Sequence, residues 1–403
     1  MLAVLRRRSF ALLWTSGLVS VAGDWILFAA LPFYVFQRTG STIATAGMIV
    51  AELVPGVALG TVAGVFVDRW SRKRVLVVAN LLQAAVVACL VLAQFDGWLW
   101  VVYAVAVAQS SVAAFAGPAE SALLPTLVDD ADLVPANALN ALNNRLARLA
   151  GLPIGGLLLA TGGLIPVVIA DVATFLVAAA LLVGVDQPSV PGRRPGADDD
   201  AISAWRSVWR DWVDGFRLIR GDRAIRVLFV VLGLMTFGGT MLDPLTAAWV
   251  VEVLRGGPEV YAGLMTVSAV TGIVGTLAVG TIARSWPARG LMGWGSVIAG
   301  VISLAMYVAS SIPLAFGLSA ARGLTAVASN IGVETTAQRT VPDSHRGRVF
   351  GALGASGSLL SLLGATVGGV LAESVGIVTM LCVASVLLIV AGVVVLRALP
   401  SDR

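Results

Sequence analysis

Five polar side chains interrupt long apolar segments of this chain, and their chemistry is unusual in such surroundings. Asp24, Glu52 and Asp243 are carboxyls, Gln109 is an amide and Arg322 is a guanidinium. An ionisable group inside a bilayer costs roughly 2.5–3.5 kcal/mol on insertion scales, so such groups usually face a cavity and are functional. The five residues are therefore candidates for binding a proton or a polar solute.

Asp24 offers the clearest chemistry of the five. It follows Ser20 by one helical turn and Gly17 by two, so the three residues share one face of the first apolar segment. Loss of solvent disfavours the charged form of a carboxyl, so such a group can load and release a proton. We predict that Asp24 couples to protons. Static buried pairs that fix helix register remain the alternative for the charged residues of this set.

The composition indicates which elements hold these residues. Of 403 residues, 58% are hydrophobic and only 12% are charged, whereas soluble domains carry roughly 25% charged residues. About 20 apolar residues are enough for a helix to cross a bilayer. Six charge-free runs meet that length, namely 75–95, 97–119, 149–170, 260–283, 349–372 and 374–396. The chain is therefore predicted to be an all-α integral membrane protein.

Twelve transmembrane helices account for the hydropathy pattern along the chain. Their predicted ranges are 10–36, 43–67, 75–95, 98–119, 137–161, 164–186, 225–250, 260–283, 289–310, 313–335, 347–372 and 375–396. Nearly all cations outside them fall on one side, and only Arg38 and Arg255 fall in loops on the other. Because cytoplasmic loops carry the excess of Lys and Arg, both termini are predicted to be cytoplasmic.

The two halves of the chain resemble each other. Residues 60–76 align with 275–291 at an offset of 215 positions, and residues 151–163 align with 364–376 at an offset of 213. Nearly equal offsets in matching helices indicate a duplicated six-helix unit. We predict two pseudo-symmetric six-helix bundles, residues 1–186 and 223–403.

The segment 187–222 between the bundles is predicted to be a cytoplasmic linker, because it begins with the only long hydrophilic stretch. Its second part carries apolar side chains at steps of three and four with arginines between them. Such a pattern is typical of an amphipathic helix at a membrane surface. The apolar residues are Trp205, Trp209, Trp212, Phe216 and Ile219.

A cationic loop between the second and third helices resembles the signature loop of the major facilitator superfamily of transporters. That signature runs from a glycine through Asp-Arg to a second glycine and two basic residues. The matching residues here are Gly64, Asp68, Arg69, Arg72 and Lys73, with Ser71 at the place of the second glycine. The segment with Asp343, Arg346 and Arg348, which opens the eleventh helix, resembles the family's cytoplasmic gate loop. The resemblance implies that the two loops pair when the inward side closes.

The fifth helix carries a glycine motif formed by Gly151, Pro153, Gly155 and Gly156. It resembles the antiporter signature of drug exporters, with the proline displaced by one position. Small residues also serve helix packing in any membrane protein. The segments Gly23-Asp24-Trp25 and Glu120–Pro125 further resemble bacterial exporters of the macrolide-efflux and enterobactin-exporter branch.

The family resemblance implies that helices 1, 4, 7 and 10 line a central cavity. Asp24, Gln109, Asp243 and Arg322 would then converge there, whereas Asp171 on the sixth helix is expected to be structural. We therefore expect proton-coupled efflux of moderately hydrophobic small molecules by alternating access. A lysolipid or siderophore transporter of the same fold, or a membrane scaffold or sensor, remains open.

Several other classes of function are excluded or not expected. The chain has one histidine and one lysine, Lys73, which no glycine-rich run precedes, so neither a histidine metal cluster nor a P-loop can form. The net charge of +4 comes from cations at the helix ends, so nucleic acid is not an expected partner. We expect no enzymatic activity, cofactor or metal. A monomer in a bacterial cytoplasmic membrane, with protons, a small-molecule substrate and lipid as partners, is expected.

Overall fold

The computed structural model describes residues 2–67, 70–186, 220–282, 286–340 and 346–399. Within them the chain forms twelve α-helices and no β-strand. The helices are α1 Arg8–Thr39, α2 Thr42–Val67, α3 Arg72–Ala88, α4 Trp100–Leu123, α5 Leu133–Gly162, α6 Leu164–Val183, α7 Arg223–Glu252, α8 Pro258–Ile282, α9 Ala288–Val308, α10 Ile312–Thr340, α11 Arg346–Val375 and α12 Ile377–Ala398. The predicted surface helix lies outside the described residues.

The prediction of twelve helices is confirmed, and their ends differ from the predicted ones by at most five residues except at the end of α3. That helix stops at Ala88 and not at 95, because Cys89–Gln94 continue it as a 3-10 helix. Eleven helices of the described ranges are long and apolar enough to cross a membrane. The remaining one, α5, is 30 residues long, but the part up to its middle carries Arg145, Arg148 and several asparagines. These polar residues lower its hydropathy, although its length would span a bilayer.

The chain divides into two compact units. The first comprises Met1–Tyr34 and Ala51–Arg206, and the second comprises Val35–Val50 and Ser207–Arg403. The boundary between the two units therefore falls inside α1 and α2, so that the corner between these helices belongs to the second unit.

Hydrogen bonds explain why the corner between α1 and α2 belongs to the second unit. The Ser41 hydroxyl donates to Glu373 Oε1 on α11 at 2.5 Å, and the Ile43 backbone N–H donates to the same oxygen at 3.4 Å. The buried Thr42 hydroxyl donates to the Gly369 carbonyl at 2.8 Å. Glu373 thus caps the first turn of α2, where a carboxylate satisfies orphan N–H groups and complements the helix dipole.

An ion pair joins the start of the first unit to the connection between α4 and α5. Arg7, just before α1, donates to Asp129 and, at 2.9 Å, to Asp132. The hydrogen bond with Arg7, followed by its charge, lowers the pKa of the Asp129 carboxyl. The same hydrogen bond raises the pKa of the Arg7 guanidinium. The pair is exposed, so its contribution to stability is small.

Glycines of α5 bring this helix against α1 in the first unit. A Cβ placed on Gly151 would lie 2.5 Å from the Ala22 carbonyl oxygen, and one on Gly155 would lie 2.4 Å from that of Ile26. No side chain fits at either position, because real Cβ contacts essentially never fall below 3.0 Å. The backbones therefore meet directly, as is usual for small residues in membrane helices.

The second unit repeats this crossing between α7 and α11. A Cβ on Gly364 would lie 2.5 Å from the Phe237 carbonyl oxygen, and one on Gly368 would lie 3.0 Å from that of Met241. These glycines follow Gly151 and Gly155 by 213 positions, and their partners follow Ala22 and Ile26 by 215. The offsets match those of the sequence alignments, so the predicted pseudo-symmetry is confirmed.

Candidate functional site

Three carboxyls of the first unit lie close together. Asp24 on α1 is exposed, although its neighbour Gly23 is buried. Glu52 on α2 and Asp171 on α6 are near enough to Asp24 for their charges to interact. The structure therefore brings together the two acids that the sequence predicted for this bundle. It adds Asp171, which sequence reasoning had set aside as structural.

A cation and two aromatic rings flank Asp24 along α1. The Arg148 guanidinium of α5 lies over the Trp25 ring, 4.7 Å from its centroid. The Trp25 ring meets Phe28 edge to face, with centroids 5.1 Å apart. An arginine above an aromatic face gains cation–π stabilisation, so this contact helps to hold α5 against α1 beside Asp24. Sequence reasoning missed it, since a contact between α1 and α5 leaves no spacing signal along the chain.

Gln109 and Arg322 occupy equivalent places in the two units. The two residues are 213 positions apart, the same offset that relates the glycines of α5 and α11. Gln109 Oε1 and Arg322 Nε are both buried and have no hydrogen-bond partner among the described residues. Buried polar atoms normally find a partner, so each unit offers open hydrogen-bonding capacity at this position.

Asp243 lies in a different environment from the other predicted residues. It acts electrostatically on Tyr261, a fully buried residue that is also close to Tyr307. The Trp249 indole N–H donates to the Tyr307 carbonyl at 3.1 Å, and the two rings meet edge to face. Asp243 therefore lies beside a buried aromatic cluster between α7, α8 and α9.

The described cations of the signature loop bind helix ends within the first unit. The Arg72 guanidinium donates to the Ala122 carbonyl at 2.9 Å, near the end of α4. The Lys73 ammonium donates to the carbonyls of Val183 and Val185 at 2.8 and 2.7 Å, at the end of α6. Cations stabilise the last, unsatisfied carbonyls of a helix. Arg72 and Lys73 thus hold the start of α3 against two neighbouring helices.

The other predicted gate residues cannot be assigned contacts. Asp68, Arg69 and Asp343 lie outside the described residues. Gly64 lies in α2, and Arg346 and Arg348 lie in the first turn of α11, with side chains outside the described set. Pairing between the two loops remains a prediction.

The glycine motif of α5 positions the helix that carries Asp24. Gly151 contacts the backbone of Ala22 and the Cβ of Trp25, on either side of Asp24 in the sequence, and Gly155 contacts Ile26. Gly156 is buried and Pro153 is half-buried inside the helix. The motif therefore acts through close packing, and it sets the depth and rotation of α1 beside α5.

Twelve helices in two repeated units, with carboxyls inside apolar helices, are typical of a polytopic membrane protein. The Major Facilitator Superfamily model matches residues 13–316 and 228–403, and the chain belongs to that family.

Similar proteins include named efflux pumps. The multidrug efflux pump Tap of Mycobacterium tuberculosis (strain ATCC 25618 / H37Rv) is 26% identical, over 99% of this chain and 94% of its own length. Macrolide efflux protein A of Streptococcus pyogenes is 24% identical, over 91% of this chain and 90% of its own length. The crystal structure of a bacterial homologue of the iron transporter ferroportin, in an inward-facing state, has a TM-score of 0.76 at 16% identity. The match covers 97% of this chain and 98% of the homologue's chain. At 16% identity, this similarity supports the fold alone.

Proposed function

We propose that this transporter is a proton-coupled exporter of moderately hydrophobic small molecules, working by alternating access. The observation that carries the proposal is Asp24, an exposed carboxyl on a predicted membrane helix with two further acids within electrostatic range. The relatives named as efflux pumps support export, because the similarity runs over nearly the whole of both chains.

In this proposal Asp24 is the group that carries the proton. A carboxyl in a cavity loads a proton from the outer, more acidic side and releases it on the inner side, where the pH is higher. Glu52 on α2 is also a carboxyl, and it is the alternative proton carrier in this proposal. A cationic substrate competes with the proton for the charge of Asp24, which links the two movements.

Gln109, Asp243 and Arg322 are assigned to the substrate cavity. The open hydrogen-bonding capacity of Gln109 and Arg322 supports this role, because a polar solute would satisfy the buried atoms. Asp243, beside its aromatic cluster, is proposed as a weaker member of the set. Convergence of these residues with Asp24 is a part of the proposal, and it follows from the family's use of helices 1, 4, 7 and 10.

The remaining parts of the proposal concern the whole transporter. The bundles 1–186 and 223–403 rock about the substrate, with 187–222 as the linker. The loop with Asp68 and Arg69 pairs with the segment Asp343, Arg346 and Arg348 when the inward side is closed. We further propose a monomer in a bacterial cytoplasmic membrane, with both termini in the cytoplasm.

Substrate efflux from proteoliposomes, with and without an imposed pH gradient, tests the role of Asp24. Asp24→Asn fixes a neutral side chain, so we expect the response to the gradient to be lost while downhill exchange persists. Asp130→Asn, which changes an exposed acid of the α4–α5 connection, is the matched control and should behave as wild type.

Three outcomes would contradict the proposal in different ways. A gradient response in Asp24→Asn equal to wild type would move the coupling site to Glu52 or Asp243. Failure of the wild-type protein to move any of a panel of macrolides, lysolipids and siderophores would favour a scaffold or sensor. Transport of a lysolipid or siderophore alone would favour that alternative within the same fold.

A further inference from the structure

Asp171 is a buried carboxyl that the proposed mechanism does not use. It lies in the middle of α6 and is 0% exposed. Its Oδ1 contacts the Thr174 hydroxyl at 3.2 Å, and its Oδ2 has no hydrogen-bond partner among the described residues. A charged carboxylate in such a place would be costly, because nothing replaces the lost water at Oδ2.

Packing does not require an acid at this position. A Cβ placed on Gly23 would lie 2.0 Å from Asp171 Oδ1 and 2.1 Å from Thr174 Oγ1, so α1 presses directly on this pair. The repeated crossing in the second unit brings Gly238 against Ala384 and Leu387. The latter two follow Asp171 and Thr174 by 213 positions. The same helix crossing therefore packs with two apolar residues, and the Asp–Thr pair must serve something else.

The hydrogen-bond geometry favours a proton on Asp171. The Thr174 hydroxyl has one hydrogen and two acceptors within reach, the Asp171 backbone carbonyl at 2.7 Å and the Asp171 carboxyl at 3.2 Å. The shorter contact is the better hydrogen bond and takes that hydrogen. The longer contact becomes a full hydrogen bond when a neutral carboxyl donates its own proton to Thr174 Oγ1.

The charges around Asp171 also favour a bound proton. Asp24, on α1, is another acid, and it acts on Asp171 electrostatically. On α3 the cations are confined to its first turn, where Lys73 binds the end of α6, about 18 Å from Asp171 along the helix. On α5, Arg145 and Arg148 are the charged residues, and Arg148 lies over Trp25. Two neighbouring acids resist a second negative charge.

We propose that Asp171 is a second proton-binding carboxyl of the first unit, and that it titrates together with Asp24 as one pair. The proposal rests on the proposed role of Asp24 as a proton carrier. The pair holds two protons when fully loaded, and Asp171 keeps its proton while Asp24 is ionised. A proton fits the site better than a metal ion does, since among the described residues no three acidic, His or Cys side chains are arranged so that they could hold a metal ion.

Infrared difference spectroscopy of the full-length purified protein during a pH titration tests this pairing. The bands of Asp24 and Asp171 are identified among the other carboxyls as those missing in Asp24→Asn and in Asp171→Asn. In wild type we expect these two signals to vanish at two separate pH values, and each variant should leave one of the two. The signal left in Asp24→Asn should vanish at a pH about one unit or more below the later wild-type step, because the repelling neighbour is gone. Asp130→Asn should leave both signals unchanged.

The proposal is overturned if Asp171→Asn removes no neutral-carboxyl signal, or if the signal left in Asp24→Asn titrates as in wild type. Where Asp171→Asn does not fold, Thr174→Val serves instead. It removes the hydroxyl beside Oδ1, so the Asp171 band should shift in frequency, and an unshifted band also overturns the proposal. The spectra need no transport, so loss of the gradient response in Asp24→Asn remains a separate test of the proposed function.

Discussion

At the scale of single residues, the surroundings of an acid in this chain either disfavour or favour its negative charge. Asp24 has two carboxyl neighbours within electrostatic range, whereas Asp129 has an arginine bonded to it. The first arrangement disfavours ionisation and the second favours it. Acids of one type can therefore carry protons in one part of this unit and anchor a terminus in another.

The Arg7–Asp129 pair makes the stability of the folded protein depend on pH, and the direction of the effect follows from the pKa of Asp129. Because Arg7 lowers the folded-state pKa of Asp129, the pair stabilises the folded protein above the ordinary carboxyl pKa of about 4. That stability is lost as the pH falls through the lower folded value. A carboxyl NMR titration should show the Asp129 midpoint rise toward its ordinary value in Arg7→Gln. An unchanged midpoint would mean that the pair does not form in solution.

Gly155 should tolerate no side chain, because a Cβ there would lie 2.4 Å from the Ile26 carbonyl oxygen. Gly155→Ala must push α5 away from α1, and overpacking of this kind costs about 1–3 kcal/mol. Gly117→Ala is the control, since nothing lies within 4 Å of a Cβ at that position of α4. Thermal unfolding in detergent should therefore separate the two variants. Equal melting temperatures would contradict the observed closeness of α1 and α5.

At the scale of elements, hydropathy predicted the helices well but not the faces by which they meet. Long, predominantly apolar segments located all twelve helices, because a helix needs about 20 such residues to cross a bilayer. Lipid and the interior of a membrane protein are both apolar, so the pattern does not reveal which face contacts protein. Gly151 and Gly155 were recognised as a motif, yet their partner helix was not. Asp171 was interpreted as structural from its place on the sixth helix, and only the packed structure shows Gly23 against it.

Glu373 should control the first turn of α2. Glu373→Ala removes the acceptor for the Ser41 hydroxyl and the Ile43 N–H, and loss of such a cap costs about 0.5–2 kcal/mol. Hydrogen exchange at the start of α2 should then be about 2- to 30-fold faster. Ser374→Ala is the matched control, because that hydroxyl bonds only within α11, to Leu371. Identical exchange in both variants would show that Glu373 does not cap α2.

At the scale of the whole molecule, duplication explains both what the halves share and where they differ. The crossings through Gly151 and Gly364 use the same backbone contacts, so the sequence offsets predicted this part of the architecture. The two acids Asp24 and Asp171 have no acidic counterparts in the second unit. Gly239 corresponds to Asp24 at an offset of 215 positions, and Ala384 corresponds to Asp171 at an offset of 213. We accordingly propose proton chemistry for the first unit. The second unit contributes the guanidinium of Arg322 where the first has Gln109.

Topology is the prediction that belongs to this scale. An even number of spans and the cations Arg6–Arg8 at the start require both termini on the cytoplasmic side. A reporter that is active only in the periplasm should stay silent when fused after Arg403, and a cytoplasmic reporter should be active there. The same reporters placed after Arg255, in the α7–α8 connection, should give the opposite result. Periplasmic activity after Arg403 would indicate an odd number of spans or a reversed orientation.

Lys73 is the only lysine of the chain, and its ammonium is bound to the carbonyls of Val183 and Val185. Apart from the N-terminus it is the only primary amine, so an amine-selective reagent has a single internal target. Acylation requires the ammonium to lose a proton and leave those carbonyls. The rate at which Lys73 is acylated therefore reports how often the start of α3 separates from the end of α6. Mass spectrometry can measure this rate without any engineered cysteine.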